Sequence, residues 1–196
     1  MRHALAATAA VLLAAACGTA KVGPKPIVDD EVKETVKGDE IVREYDLDHS
    51  GRADVKKFFK KLPDPSDPKK TIEVLQRKEL DLNRDGKTDM WVWYADDGET
   101  AVKQALDLDF DGKVDVVDYF EKGVIVKKDV FHAFSDKPDE WKYYEKGKLA
   151  RVERDVRHKG QVDYWEYWEG DHIDRIGEDT DGDGQVDKWT KVKAAE

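Results

Sequence analysis

Residues 107–130 read DLDFDGKVDVVDYFEKGVIVKKDV, and this unit, met again along the chain, decides the fold. Its first nine residues place Asp107, Asp109, Asp111 and Asp115 at positions 1, 3, 5 and 9, with Gly112 at position 6. Carboxylates so spaced gather hard oxygens around one point. A hard divalent cation takes that arrangement, calcium above all. The rest of the unit is two short runs, 116–120 and 124–130, parted by Glu121-Lys122-Gly123. Runs rich in β-branched and aromatic residues about a glycine turn read as a β-hairpin.

Working outward, the same loop is written at Asp81, Asn83, Asp85, Gly86 and Asp89, and again at Asp179, Asp181, Asp183, Gly184 and Asp187. The shorter signal Gly-x-x-Asp ends at Asp54, Asp89, Asp115, Asp163 and Asp187, with spacings of 35, 26, 48 and 24 residues. The spacing of 48 is two units, and the missing copy lies at 135–139. The chain therefore predicts an all-β fold, an antiparallel meander of about six β-hairpin repeats with a period near 24. The long first spacing holds an insertion, 60–70, whose Pro63, Pro65 and Pro68 predict an exposed loop. In the first repeat Val55, Phe58, Phe59 and Leu62 also fit one face of a helix, while the repeat register reads them as a strand.

The aromatic residues fall in register. Trp91, Trp141, Trp165 and Trp189 stand two residues after the last Asp of a loop, and Trp93, Tyr119, Tyr143 and Tyr167 stand four after. Offsets of two and four share one face of a strand, so stacked hairpins would build an aromatic ladder. Such a ladder serves sheet packing or offers a platform for sugar rings. A basic column, Arg77, Lys103, Lys127, Arg151 and Arg175, lies four before the next loop and is expected to pair with neighbouring carboxylates on a solvated face.

The loops are not equal as ligand sets. Asp46, Asp48, Ser50 and Asp54 make a weaker site in the first repeat. The fourth has Phe131, Ala133 and Ser135 where ligands would stand. The fifth, Asp155-x-Arg157-x-Lys159-Gly160-x-x-Asp163, puts cations at two ligand positions, so it keeps the turn and cannot keep a metal.

The start of the chain reads as a targeting segment. Arg2 and His3 precede an uncharged run of 13 residues, 4–16, too short to span a bilayer. The run ends Leu13-Ala14-Ala15-Ala16-Cys17, and Cys17 is the single cysteine. This resembles the lipobox of bacterial lipoproteins, although the favoured Leu lies one residue early; the alternative is an ordinary secretory signal. The resemblance implies a signal peptide over 1–16 and lipid on Cys17. Gly18 rather than Asp after the cysteine implies the outer membrane or cell surface. Residues 17–37 are expected to be a lipidated, flexible tether, and 38–196 the repeat domain.

The hairpins resemble MORN repeats and related bacterial hairpin-repeat proteins. The Asp loops resemble those of thrombospondin type-3 repeats and EF-hands. The EF-hand likeness implies a bidentate acid at position 12, which Asp118 supplies in the third loop and Glu166 in the fifth, whereas Val92 and Thr190 do not in the second and sixth.

A net charge of -10 disfavours nucleic acid and anionic lipid as partners. Ser50, Ser66 and Ser135 sit in no nucleophile motif, and His49, His132, His158 and His172 lack zinc-ligand spacing, so no enzyme is expected. The expected role is a calcium-stabilised surface lipoprotein, a structural or adaptor component docking envelope proteins in an adhesion or motility assembly. The alternative is a module that binds polysaccharide through the Trp and Tyr ladder.

Overall fold

Every β-favouring run becomes a strand. The computed structural model describes residues 32–132 and 136–193. It contains β1 (Val32–Lys37), β2 (Glu40–Tyr45), β3 (Val55–Asp64), β4 (Asp67–Leu80), β5 (Met90–Tyr94), β6 (Ala101–Leu106) and β7 (Val116–Glu121). It continues with β8 (Val124–Val130), β9 (Glu140–Glu145), β10 (Lys148–Arg154), β11 (Tyr164–Glu169), β12 (His172–Glu178) and β13 (Lys188–Lys191). The 13 strands form one antiparallel sheet in strict sequence order, with β1 and β13 as its edges. No helix or second layer covers either face among the described residues.

The meander does not match six repeats one for one. A hairpin, β1–β2, precedes the first Asp loop, and the sixth repeat contributes β13 alone. The tether expected over 17–37 is corrected at its end, because Val32–Lys37 is β1, paired along its length with β2. Signal residues 1–16, Cys17 and the tether as far as 31 lie outside the described residues. The first repeat is a strand, as the repeat register implies. The insertion at 60–70 is not a loop. It lengthens β3 and β4 into a long hairpin turning between Asp64 and Asp67. Pro65 lies in that turn, and Pro63 and Pro68 are tolerated because the flanking strands stop short: β2 pairs with β3 only as far as Lys60, and β5 pairs with β4 only as far as Arg77. Beyond those points the outer edges have no ladder partner, so a missing N–H breaks no sheet bond.

Connections alternate between the two ends of the sheet. Asp loops join β2–β3, β4–β5, β6–β7, β10–β11 and β12–β13 at one end, and tight turns lie at the other. In the turns of β7–β8 and β9–β10, Lys122 and Gly123 have φ of 50° and 75°, and Lys146 and Gly147 have 52° and 78°. Two successive positive φ values give a two-residue turn whose twist matches that of the flanking strands.

Just past the turn, each hairpin from β3–β4 to β11–β12 carries a register shift, for example between Tyr119 and Phe120. That bulge decides which face the basic column occupies. Pairing strictly outward from Glu121 and Val124 would set Lys127 opposite Asp118. With one extra residue in β8, Lys127 faces Tyr119 and Lys128 faces Asp118. A slip of one residue moves a side chain to the other face of a sheet.

One face therefore carries a row in which rings and cations alternate: Phe58, Arg77, Trp93, Lys103, Tyr119, Lys127, Tyr143, Arg151, Tyr167 and Arg175. The cations sit over the rings, at 4.0 Å for Arg77 on Phe58, 4.7 Å for Lys103 on Trp93 and 4.2 Å for Arg151 on Tyr143. Their stems cover aromatic surface that has no second layer to cover it. The expected carboxylate pairing also occurs, with the acid two residues on: Arg77–Glu79 at 2.9 Å, Lys127–Asp129 at 2.8 Å and Arg151–Glu153 at 3.3 Å. On the other face the row nearest the loops is aliphatic from Leu80 through Met90, Leu106 and Val116 to Val130, then becomes charged at Glu140 and Arg154. Arg154 there holds Glu140 at 2.5 Å and Glu166 at 2.6 Å.

Candidate metal centre

Each Asp loop is first a knot of hydrogen bonds to carboxylates. The acid at position 9 accepts the N–H of position 2: Leu47 to Asp54 at 2.6 Å, Leu82 to Asp89 at 2.6 Å, Leu108 to Asp115 at 2.5 Å, Val156 to Asp163 at 2.8 Å and Thr180 to Asp187 at 2.7 Å. The acid at position 1 accepts the N–H of the glycine at position 6, at 2.7 Å for Gly51 and Gly86, 2.8 Å for Gly112 and Gly184 and 2.6 Å for Gly160. That glycine must take a positive φ, 94° at Gly112, which L side chains rarely adopt. The fifth loop shares the whole pattern although it lacks a metal ligand set. The turn therefore exists without an ion, and what an ion could add is a further tie.

Neighbouring loops are laced together along the sheet end. The N–H of Asp81 donates to the Asp54 carbonyl at 2.9 Å, that of Asp107 to Asp89 at 2.8 Å and that of Asp179 to Asp163 at 3.0 Å. Arg52 reaches from the first loop to the carbonyls of Arg84 and Asp85 in the second, at 3.0 and 3.3 Å.

Three loops bring three carboxylates together with oxygens within 4.8 Å of one another: Asp46, Asp48 and Asp54; Asp107, Asp109 and Asp115; Asp179, Asp181 and Asp187. These are positions 1, 3 and 9. Position 5 stands apart: Asp85, Asp111 and Asp183 each accept the N–H two residues on, at 2.8 Å. The second loop offers Asp81, Asn83 and Asp89, but with the Asn83 amide at position 3 it presents no group of three acids. Ser50 donates its N–H to Asp46 and Asp48 in the first loop.

Asp118, the expected ligand at position 12, is not part of the third cluster. It lies buried in β7, paired with Lys128 at 2.9 Å, because the strand carries it away from the loop. Glu166 likewise serves Arg154.

The clusters differ at the first carboxylate. In four loops both of its oxygens accept backbone N–H groups: Asp46 also takes Ser50 at 3.0 Å, Asp81 takes Arg84 at 2.6 Å, Asp155 takes Lys159 at 2.9 Å and Asp179 takes Gly182 at 2.5 Å. In the third loop Asp107 is 2% exposed, its Oδ2 meets Gly112, and its Oδ1 is buried with no hydrogen-bond partner. A buried carboxylate oxygen left unsatisfied is costly, and a cation would satisfy it.

Hydrogen bonding sets the acidity of several loop carboxyls. The Lys87 N–H holds Asp85 below its ordinary value, and the Thr180 N–H and hydroxyl do the same for Asp187. Burial pulls Asp179 upward, but bonds from Gly182 and Gly184 and the nearby Arg157 outweigh it and leave the group lowered. All three are thus kept in the anionic form a metal requires.

The aromatic face is less open than a sugar platform requires. Trp91, Trp93, Tyr119, Trp141, Tyr143, Trp165 and Tyr167 are half-buried; Trp189, at 52%, is exposed. Cations cover the faces of Trp93, Tyr119, Tyr143 and Tyr167. Tyr119 and Tyr143 donate their hydroxyls to Asp129 and Glu153, each at 3.0 Å, and burial followed by these bonds raises both phenols above their ordinary value. The sequence showed both columns but not their interleaving, since the bulge that aligns them has no sharp residue signature.

No family model and no curated protein matches this chain. Among solved structures, one similar to it is the crystal structure of accessory secretory protein 1, 2 and 3 in Streptococcus pneumoniae. The likeness has 13% identity and a TM-score of 0.29, over 72% of this chain and 20% of that one. The chain thus spans about a fifth of that protein's length, and a likeness of this order assigns neither fold nor activity.

Proposed function

We propose that this chain is a calcium-stabilised, lipid-anchored surface protein acting as a structural or adaptor component of a bacterial envelope assembly, such as an adhesion or motility complex. The observation that carries the metal part is the third loop, where Asp107, Asp109 and Asp115 converge and Asp107 keeps a buried, unpartnered oxygen. Hard carboxylate oxygens and a glycine-bearing loop suit calcium, and outside the cell even an affinity of roughly 10⁻⁴–10⁻³ M is useful. The adaptor part is supported by an open sheet whose two faces and two edge strands have no covering element among the described residues, a form that offers area for docking rather than a cleft for chemistry. The anchor rests on the lipobox-like run ending at Cys17. Sugar stacking is the weaker reading, because cations occupy the ring faces.

Calorimetric titration with calcium tests the metal part, with tryptophan fluorescence and thermal melting alongside. Saturable binding with a raised melting temperature supports it; no binding at roughly 10⁻³ M calcium removes it. Calcium-dependent capture of envelope proteins tests the adaptor part. Membrane fractionation of wild type against Cys17→Ser tests the anchor, which predicts that the variant leaves the membrane.

A further inference from the structure

The fifth loop carries Arg157 and Lys159 at two ligand positions, and the structure shows where the guanidinium goes. Arg157 Nε donates to Asp163 Oδ2 at 2.8 Å within its own loop. Its Nη2 crosses to the sixth loop, donating to the Asp179 carbonyl at 3.0 Å and lying 3.4 Å from Asp179 Oδ2. The Asp179 side chain has 0% exposure, so this charge is delivered to a buried carboxylate. Asp179 is also the first ligand of the sixth cluster. A guanidinium stays protonated at any physiological pH and is tethered to the chain. A divalent ion entering the sixth loop would have to displace it or sit beside it against like-charge repulsion. The third loop has no such occupant. There the Oδ1 of Asp107 is buried without a hydrogen-bond partner, in a group it forms with Asp109 and Asp115.

Building on the calcium reading above, we infer that Arg157 is a built-in cation that closes the fifth and sixth loops without metal, and that tight calcium binding is confined to the third loop. Three similar acidic clusters thus become one open metal site and two that a guanidinium from a neighbouring loop already reaches: Arg157 at Asp179 in the sixth, and Arg84, 3.7 Å from Asp48 Oδ2, in the first.

Calorimetric calcium titration of the full chain in detergent tests this, comparing wild type, Asp109→Asn, Arg157→Gln and Asp181→Asn. Wild type is expected to bind one ion tightly, and Asp109→Asn to lose it. Arg157→Gln should gain a second site at least tenfold tighter than any sixth-loop binding in wild type. Asp181→Asn, which leaves Arg157 in place, should leave the stoichiometry unchanged. Two equally tight ions in wild type, or loss of one in Asp181→Asn, would overturn the inference while leaving calcium binding intact. A folded Arg157→Gln that gains no site would also overturn it. No calcium binding in any variant would overturn the calcium reading itself, and the inference with it.

Discussion

Replacing Asp163 by Ala isolates what a carboxylate knot is worth without metal, because Arg157 and Lys159 stand at ligand positions of the fifth loop. Asp163 is 7% exposed and accepts three hydrogen bonds: Val156 N–H at 2.8 Å, Arg157 N–H at 3.0 Å and Arg157 Nε at 2.8 Å. Bonds to a charged acceptor contribute about 1.5–3 kcal/mol each. Residues 156–161 are exposed, so the released donors reach water and recover part of that. The expected loss is therefore about 3–4 kcal/mol for Asp163→Ala, and about 1–2 kcal/mol for Asp163→Asn, which keeps an acceptor but not the charge. Urea unfolding with a chelator present measures both, and hydrogen exchange at Val156 and Arg157 reports the local opening. The loss should be the same with calcium. An Ala variant destabilised by less than about 1 kcal/mol, or one that calcium restores, would refute the view that the loop is a turn first and a metal site second.

Gly177 pairs with both Trp165 and Trp189, and a Cβ there would lie 3.0 Å from Val186 Cγ1 and 3.2 Å from Trp189 Cζ3. Gly177→Val should cost about 1–3 kcal/mol and red-shift tryptophan emission; an unchanged spectrum and melting temperature would contradict this packing. Lys127 lies over Tyr119 at 5.3 Å and pairs with Asp129 at 2.8 Å, so Lys127→Met, which keeps the stem, should cost about 1 kcal/mol by urea titration. A stabilised variant would show that the cations contribute nothing to the ladder. Hydrogen bonds from Ser50 and Thr100 hold Asp48 and Asp97 below their ordinary values, as those described above hold Asp85, Asp179 and Asp187. Lowered folded values mean that this stability is complete above about pH 4 and drains away as pH falls through them. Urea midpoints recorded from pH 7 down to 3 should therefore drop below about pH 4, and a flat series would count against it.

Local chemistry was legible wherever a residue acts on its own neighbours. Gly112 and Gly123 punctuate the chain because the backbone there needs a positive φ, and the β-branched and aromatic runs between them have no other stable use. The loss of ligands in the fifth loop was equally plain from Arg157 and Lys159. Pro65 marks the hairpin turn, but Pro63 and Pro68 misled, because a proline forbids only the inner strands of a sheet, and which strands are inner depends on where β2 and β5 end.

The meander, the repeat and the five knotted loops are readable from residue order, since each follows from contacts within about one unit. Three features depend instead on how the strands pair and stack. The bulge in each hairpin turned the basic column onto the aromatic face, because face depends on register and register on a single inserted residue. The strand took Asp118 out of the third loop and gave it to Lys128. The stacking of hairpins laid the fifth loop against the sixth, so that Arg157 could reach Asp179, a partner 22 residues away that no local spacing announces.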